Sequence, residues 1–340
     1  MDRGDRPGAG GLRAQPDPAG AAPGGRDAGT RLCMGAAVTG WAGFRGNDAQ
    51  PGRLQEHAMP TAEKTITVQD RRFTIHGDAE DPYFANAEAI MAAEAPFAAW
   101  ARNHLPADGV VIDAGGNIGL TALLLSALVP NGQVLVFEPL PANLRYLRHN
   151  IERNDIGNCI VAATALGDIA GTIGMQGSGA SSHVVPAADA GIPITTLDAY
   201  LEQVGLSRVD LIKMDVEGFE PAVLAGASAL IERFAPPIFM EFNSWCLSYV
   251  QDFDARVFAQ RLWAAFDVMS LDETGTEHPA GGGDLDRFLH DNLVLHGTVD
   301  DVLLRFRPPA DLRDLARDTS RASLIRQRDE LERLLSLIHI

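Results

Sequence analysis

Between Val110 and Leu125 the chain reads VVIDAGGNIGLTALLL: an acid, three glycines within five positions, then apolar residues at helical spacing. A glycine loop joining a strand to a helix brings backbone close to a ligand and presents the free N–H groups of the helix. The dinucleotide fingerprint is G-x-G-x-x-G. The segment Ala114-Gly115-Gly116-Asn117-Ile118-Gly119 fails that spacing, and Asp113 stands directly before it. A carboxylate there repels a pyrophosphate and favours a ligand bearing an ammonium or sulfonium charge. Glu138 closes the next apolar run, 23 positions after Gly115. An acid so placed accepts hydrogen bonds from both hydroxyls of a ribose. The loop and Glu138 together indicate an adenosine ligand. NAD and S-adenosylmethionine share the ribose acid, and the loop and Asp113 favour the latter.

Two more strand ends carry acids. In KMDVEGFE, Asp215 and Glu217 are candidates for positioning an acceptor or taking its proton, which general-base catalysis requires. Their spacing puts them on one face of a continuing strand, but Gly218 signals a turn. Two nearby carboxylates also suit a divalent cation. No further ligand set is visible, so a metal-independent site is expected. Glu241 and Asn243 leave a later strand and are candidate pocket residues. His183, in GSGASSHVV, is a candidate base because its ordinary pKa lies near neutrality. A surface histidine is the plainer alternative. Ser181 and Ser182 beside it are candidate hydrogen-bond donors to substrate.

These residues need a scaffold that gathers strand ends. GVVIDAG, QVLVFEP, CIVAATALGD, RVDLIKMDVEG and PPIFMEFN read as strands, continuously apolar where both faces are covered. GLTALLLSALV, PANLRYLRHNIERN, a short helix begun by ITTLDAYLEQ, EPAVLAGASALIERF and residues 252–265 read as intervening helices. The alternation predicts a mainly parallel sheet with helices on both faces and ligands outside the carboxyl ends of its strands. Upstream, TITVQDRRFTIHG reads as two short strands, and NAEAIMAAEAPFAAWARNHL as an amphipathic helix broken or kinked at Pro96. FDVMSLDE and HDNLVLHG read as the last two strands.

Residues 1–58 are expected to be disordered, being rich in Gly, Ala, Pro and Arg without periodicity. Seven arginines against six acids there make a poor nucleic-acid arm. Met59 is a candidate natural start. Residues 59–306 form the expected domain, and 307–340 a charged helical tail. Leu324, Leu331 and Ile338 at heptad spacing suit a coiled-coil seam for self-association or a plain amphipathic helix, and the pattern reads as truncated. A net charge of −17 disfavours nucleic acid and anionic membranes as partners. Three scattered cysteines, no signal peptide and no membrane-length apolar run fit a cytoplasmic protein.

The segments VVIDAGGNIGL, VFEPLPANLRYLRHNIERN, ALGD, ITTLDAYL, VDLIKMDVEGFEPAVLAGA and IFMEFN, in this order over roughly residues 106–245, resemble the FkbM family of S-adenosylmethionine-dependent methyltransferases. The resemblance implies a Rossmann-like class I methyltransferase fold, a seven-stranded, mainly parallel sheet with an antiparallel last strand. It implies methylation of a hydroxyl on a sugar, glycan or secondary metabolite. Asp113, Gly115, Asn117 and Gly119 match the family's cofactor loop and Glu138 its ribose acid. Gly116 departs from it, because the family usually has alanine there, and the lost methyl is expected to loosen the loop slightly. Asp168, in ALGD, faces the adenine or caps a turn. A non-catalytic adenosine-ligand module and a nicotinamide-dependent oxidoreductase are the rival functions.

Overall fold

Alternating polarity makes β1 (Thr61–Val68) and β2 (Arg71–Asp78) an antiparallel hairpin whose inner face buries Phe73 and Ile75. The computed structural model describes residues 61–68, 71–176, 183–185 and 191–316. The expected disordered segment, Met59, the heptad tail from residue 317, Ser181 and Ser182 lie outside the described residues. A short helix α1 (Pro82–Ala85) follows the hairpin, then α2 (Ala87–Ala93) and α3 (Ala95–His104). The expected break falls at Glu94, with Pro96 in the first turn of α3, where its missing N–H costs nothing.

The parallel core comes next: β3 (Val110–Ala114), α4 (Leu120–Leu128), β4 (Gln133–Phe137), α5 (Pro141–Arg153) and β5 (Cys159–Ala162). The chain then leaves the main sheet. Strands β6 (Ala165–Leu166), β7 (Gly171–Gln176), β8 (His183–Val185) and β9 (Ile192–Thr195) form a second sheet in the order β6-β9-β7-β8. Thr196 caps α6 (Leu197–Val204), its side chain accepting from the Ala199 amide at 3.1 Å. After β10 (Leu211–Met214), α7 (Glu220–Ala225) and α8 (Ser228–Phe234), β11 (Ile238–Asn243) leads into a π-helical turn at Cys246–Val250. The remainder is α9 (Ala255–Ala265), β12 (Phe266–Leu271), β13 (Glu277–Pro279), α10 (Leu285–Val294) and β14 (Val299–Phe306).

The main sheet has eight strands in the order β13-β12-β14-β11-β10-β3-β4-β5. β5, β4, β3, β10 and β11 run parallel, and β14 pairs antiparallel with both β11 and β12. This is the class I methyltransferase arrangement with its reversed last strand, extended by one edge strand, β13, through a hairpin from β12. HDNLVLHG is the correction. It belongs to α10 and the turn after it, because Asp284 caps a helix by accepting from Arg287 N at 2.9 Å and Phe288, Leu289 and Asn292 form its buried stripe. The last strand lies one segment later.

One sheet face, with Ile112, Ile212, Met214 and Phe242, packs under α6 to α10. The other, with Val111, Val136, Leu211 and Phe239, packs under the hairpin and α1 to α5. Asn150 of α5 and the helix's C-cap Asn154 bind the hairpin edge as a strand would. Asn154 accepts from Thr74 N at 2.9 Å and donates to Thr74 O at 2.8 Å, and Asn150 does the same at His76 at 2.7 and 3.0 Å. Beyond β14, past the boundary at residue 306 suggested by the sequence, Leu312 and Leu315 of a 3₁₀ turn are buried in the core. No helix among the described residues is long and apolar enough to cross a membrane.

Candidate active site

The parallel strands end on one edge, and the loop after β3 is shaped by what it crosses. Gly115 has φ +111°, and a Cβ there would lie 1.9 Å from the Asp215 carbonyl oxygen. Only glycine lets the loop pass this close to the end of β10. Asn117 is left-handed, and Gly119 at φ +98° caps α4 with no side-chain hydrogen bond. Gly116 is not a loosened position. The place of an alanine methyl is filled by Val136, whose Cγ1 would be 2.3 Å from it.

Three side chains on these loops bury polar atoms that find no hydrogen-bond partner among the described residues. They are both Asp113 oxygens, both polar atoms of Asn117, and Glu138 Oε2. Asp113 and Glu138 are fully buried and Asn117 almost so. Glu138 Oε1 accepts from Leu140 N at 2.7 Å, which fixes the carboxyl and leaves Oε2 for another donor. Burial pushes Asp113 up to about 8, with Lys213 opposing and Glu94 adding to the rise. Burial likewise raises Glu138, against hydrogen bonding from the Leu140 amide and the Asn143 side chain. Buried polar atoms without partners are rare in folded chains. A ligand that brings a cation to Asp113 and hydroxyl donors to Glu138 would satisfy them, and S-adenosylmethionine has both.

The DVEG turn separates the two carboxylates that the sequence left as equals. Asp215 extends β10, its amide donating to Ala114 O at 2.9 Å, and stays on the face of Lys213. Glu217 then turns away at φ +57° and is buried, with Cys246 Sγ 3.1 Å from its Oε2. Glu220, absent from the sequence reading, shapes this turn by accepting from Val216 N at 3.1 Å and Gly218 N at 3.3 Å. Burial lifts Glu220 to about 7 despite those amides. Asp215 is also raised, first by burial and then by Glu220 and Asp301, with Lys213 opposing.

Lys213 is the second residue sequence reasoning missed. It is 3% exposed, lies beside Asp113 in the register of β3 and β10, and sits 3.7 Å from Glu94 Oε1 and over the Phe239 ring. Burial works against its charge, but Glu94, Asp215, Asp301 and Asp113 raise it above the ordinary lysine value. Buried Tyr83 of α1 feels the same acids and is raised by burial, Asp215, Glu94 and Asp113. A lysine in a continuously apolar strand was the available signal. Glu94 and Tyr83 gave none, because tertiary packing alone brings them to the strand ends.

Other candidates fall elsewhere. Glu241 accepts from Asn243 Nδ2 at 3.2 Å, and Asn243 Oδ1 accepts from Cys246 N at 3.0 Å. Asp168 is exposed on the bend after β6, where Gly226 packs against its backbone. His183 is not in a loop but in β8, paired antiparallel with Gln176 of β7. Its side chain lies outside the described residues.

Residues 113–269 match the methyltransferase FkbM domain. "Methyltransferase 1" of Beauveria bassiana (strain ARSEF 2860) is 31% identical over 147 residues, covering 36% of this chain and 59% of that protein. "Methyltransferase sdnD" of Sordaria araneosa is 28% identical over 160 residues, covering 36% of this chain and 62% of that protein. The chain thus spans about three fifths of the length of these curated relatives. The crystal structure of a methyltransferase FkbM from Methylobacillus flagellatus KT aligns with TM-score 0.35 and 18% identity over 59% of this chain and 44% of that one. Over residues 113–269, a little under half of its length, the chain is thus similar to the S-adenosylmethionine-dependent methyltransferases of the FkbM family.

Proposed function

We propose that the protein is an O-methyltransferase that uses S-adenosylmethionine to methylate a hydroxyl of a sugar, glycan or secondary metabolite. The observation that carries this reading is the set of buried acceptors without partners at the ends of β3 and β4. Asp113 holds the cationic end of the cofactor, Asn117 supplies an amide beside it, and Glu138 takes the ribose hydroxyls. When bound, S-adenosylmethionine supplies a methyl group on sulfur, an excellent leaving group. The protein must then align the acceptor oxygen with that methyl, an effect worth several kcal/mol, and receive the hydroxyl proton.

Asp215 is the favoured base. Its Oδ1 is buried without a hydrogen-bond partner among the described residues, and burial raises its affinity for a proton, the property a general base uses. Glu217 is held against the Cys246 thiol instead. His183, Asp168 and a role for the tail in self-association stay proposals of the sequence.

Calorimetric titration with S-adenosylmethionine, S-adenosylhomocysteine and NAD tests the cofactor. The adenosyl sulfur compounds should bind and NAD should not. Binding of NAD alone sinks the reading. Asp215→Asn should keep S-adenosylhomocysteine affinity within about threefold while lowering methyl transfer by about 10²–10⁴-fold. Retained turnover would remove Asp215 as the base.

A further inference from the structure

We infer that Glu94 is a positioning residue of the cofactor site: it draws the Lys213 ammonium toward the α2–α3 junction and so limits how closely that cation serves Asp113 and Asp215; the inference rests on the methyltransferase reading above. Lys213 is the only buried lysine or arginine among the described residues. Asp113 is its register partner on β3, and Asp215 follows on the same strand face. Glu94 Oε1 lies 3.7 Å from its Nζ. These carboxylates compete for one cation, because a buried charge is held by whichever partners reach it and not by water.

Packing delivers Glu94 to the lysine. Its amide donates to Ile90 O at 3.1 Å and its carbonyl accepts from Ala98 N at 2.8 Å, so one residue ends α2 and begins α3. In α3, Phe97 stacks on Phe239 with ring centroids 4.4 Å apart at 22°. Phe239 is the register partner of Lys213 on β11, and the Lys213 ammonium lies 5.5 Å from the centre of its ring. Trp100 Nε1, one turn further along α3, donates to Glu277 Oε1 at 2.7 Å. Glu94 also lies outside residues 113–269, the part of the chain that matches the FkbM domain. The charge balance at the cofactor loop is thus set in part by a segment that the match does not cover.

The other titratable groups within electrostatic reach belong to neighbouring elements. Asp301 of β14 acts on Lys213, and Tyr83 of α1 faces Asp113, Asp215 and Glu94. Glu220 of α7 and Glu241 of β11 act on Asp215, and the Cys159 thiol of β5 on Asp113. Against that background, neutralising Glu94 has two effects of one sign on Asp113. It removes a repelling charge and it releases Lys213 toward β3. Both favour the ionised carboxylate that a cationic cofactor needs.

The test is carboxyl-carbon NMR titration of the ligand-free full chain labelled at aspartate Cγ, with Asp113 assigned by the signal lost in Asp113→Asn. It is paired with S-adenosylmethionine calorimetry over the same pH range. In the parent, Asp113 should titrate at about pH 8. Glu94→Gln keeps the shape and should lower that midpoint by about one pH unit, tightening S-adenosylmethionine about fivefold at pH 7. Glu94→Asp keeps the charge but draws it back by one methylene, about 1.5 Å. It should give part of the same downward shift, because the contact with Lys213 opens. An unmoved midpoint in Glu94→Gln overturns the inference, even if that variant melts lower, since Glu94 would then be a packing residue only. A midpoint lowered in Glu94→Gln but unmoved in Glu94→Asp also overturns it, because Glu94 would then act on Asp113 directly and not through Lys213. Both shifts without S-adenosylmethionine binding at any pH would sustain the division of Lys213 and fail the cofactor reading.

Discussion

At the scale of single residues, Asp113 is the point where folding and binding pull in opposite directions. Its folded pKa of about 8 exceeds the ordinary aspartate value of 3.8, so the folded chain holds this proton more tightly than the unfolded one. The stability this confers is complete below pH 4 and is lost as pH rises through about 8. A cationic ligand needs the ionised form. Affinity for S-adenosylmethionine should therefore weaken by about tenfold per pH unit below pH 8 and level off above it, as read by calorimetry across pH 6–9. Asp113→Asn should lose binding yet melt above the parent at pH 8.5, because it has no charge to bury. A variant that binds normally would remove Asp113 from the cofactor site.

At the scale of elements, the loop and the strands beneath it are matched. Gly116→Ala should cost about 1–3 kcal/mol, because the new methyl falls on Val136, and Gly116→Ala with Val136→Ala should recover most of it. Thermal melts of the two variants decide whether Val136 is what replaces the alanine. Lys213 is the counter-charge between β10, β3 and the α2–α3 junction. Lys213→Met should destabilise the fold by about 3–5 kcal/mol, since it strands buried carboxylates. It should also move the pH midpoint of cofactor binding upward. The elements around the site were legible because fully buried parallel strands are written as unbroken apolar runs, and because Gly115 and Gly119 have no substitutes. The α10 segment was misread because a short apolar run such as NLVL suits strand and helix alike. The second sheet was illegible because its strands are two to six residues long. The Lys213, Glu94 and Tyr83 cluster joins three distant segments, and periodicity carries no such information.

At the scale of the whole molecule, the core runs past the last strand. Leu312→Ala should lower stability by about 2–5 kcal/mol, measured by denaturant unfolding. A change below 0.5 kcal/mol would place the boundary back at residue 306. Asn150 and Asn154, at the end of α5, carry a different consequence. Their i, i+4 spacing rises about 6 Å along a helix, close to the roughly 6.6 Å between alternate residues of a strand. They can thus satisfy the hairpin edge in one alignment only. Asn150 Nδ2 also donates to the Ile118 carbonyl at 2.8 Å, inside the glycine loop. The amide proton of His76 is therefore shielded by a side chain that also grips the ligand loop. Its exchange with deuterated solvent should report, from the far side of α5, whether that loop is seated. The hairpin thus becomes a spectroscopic gauge of occupancy that requires no knowledge of the acceptor.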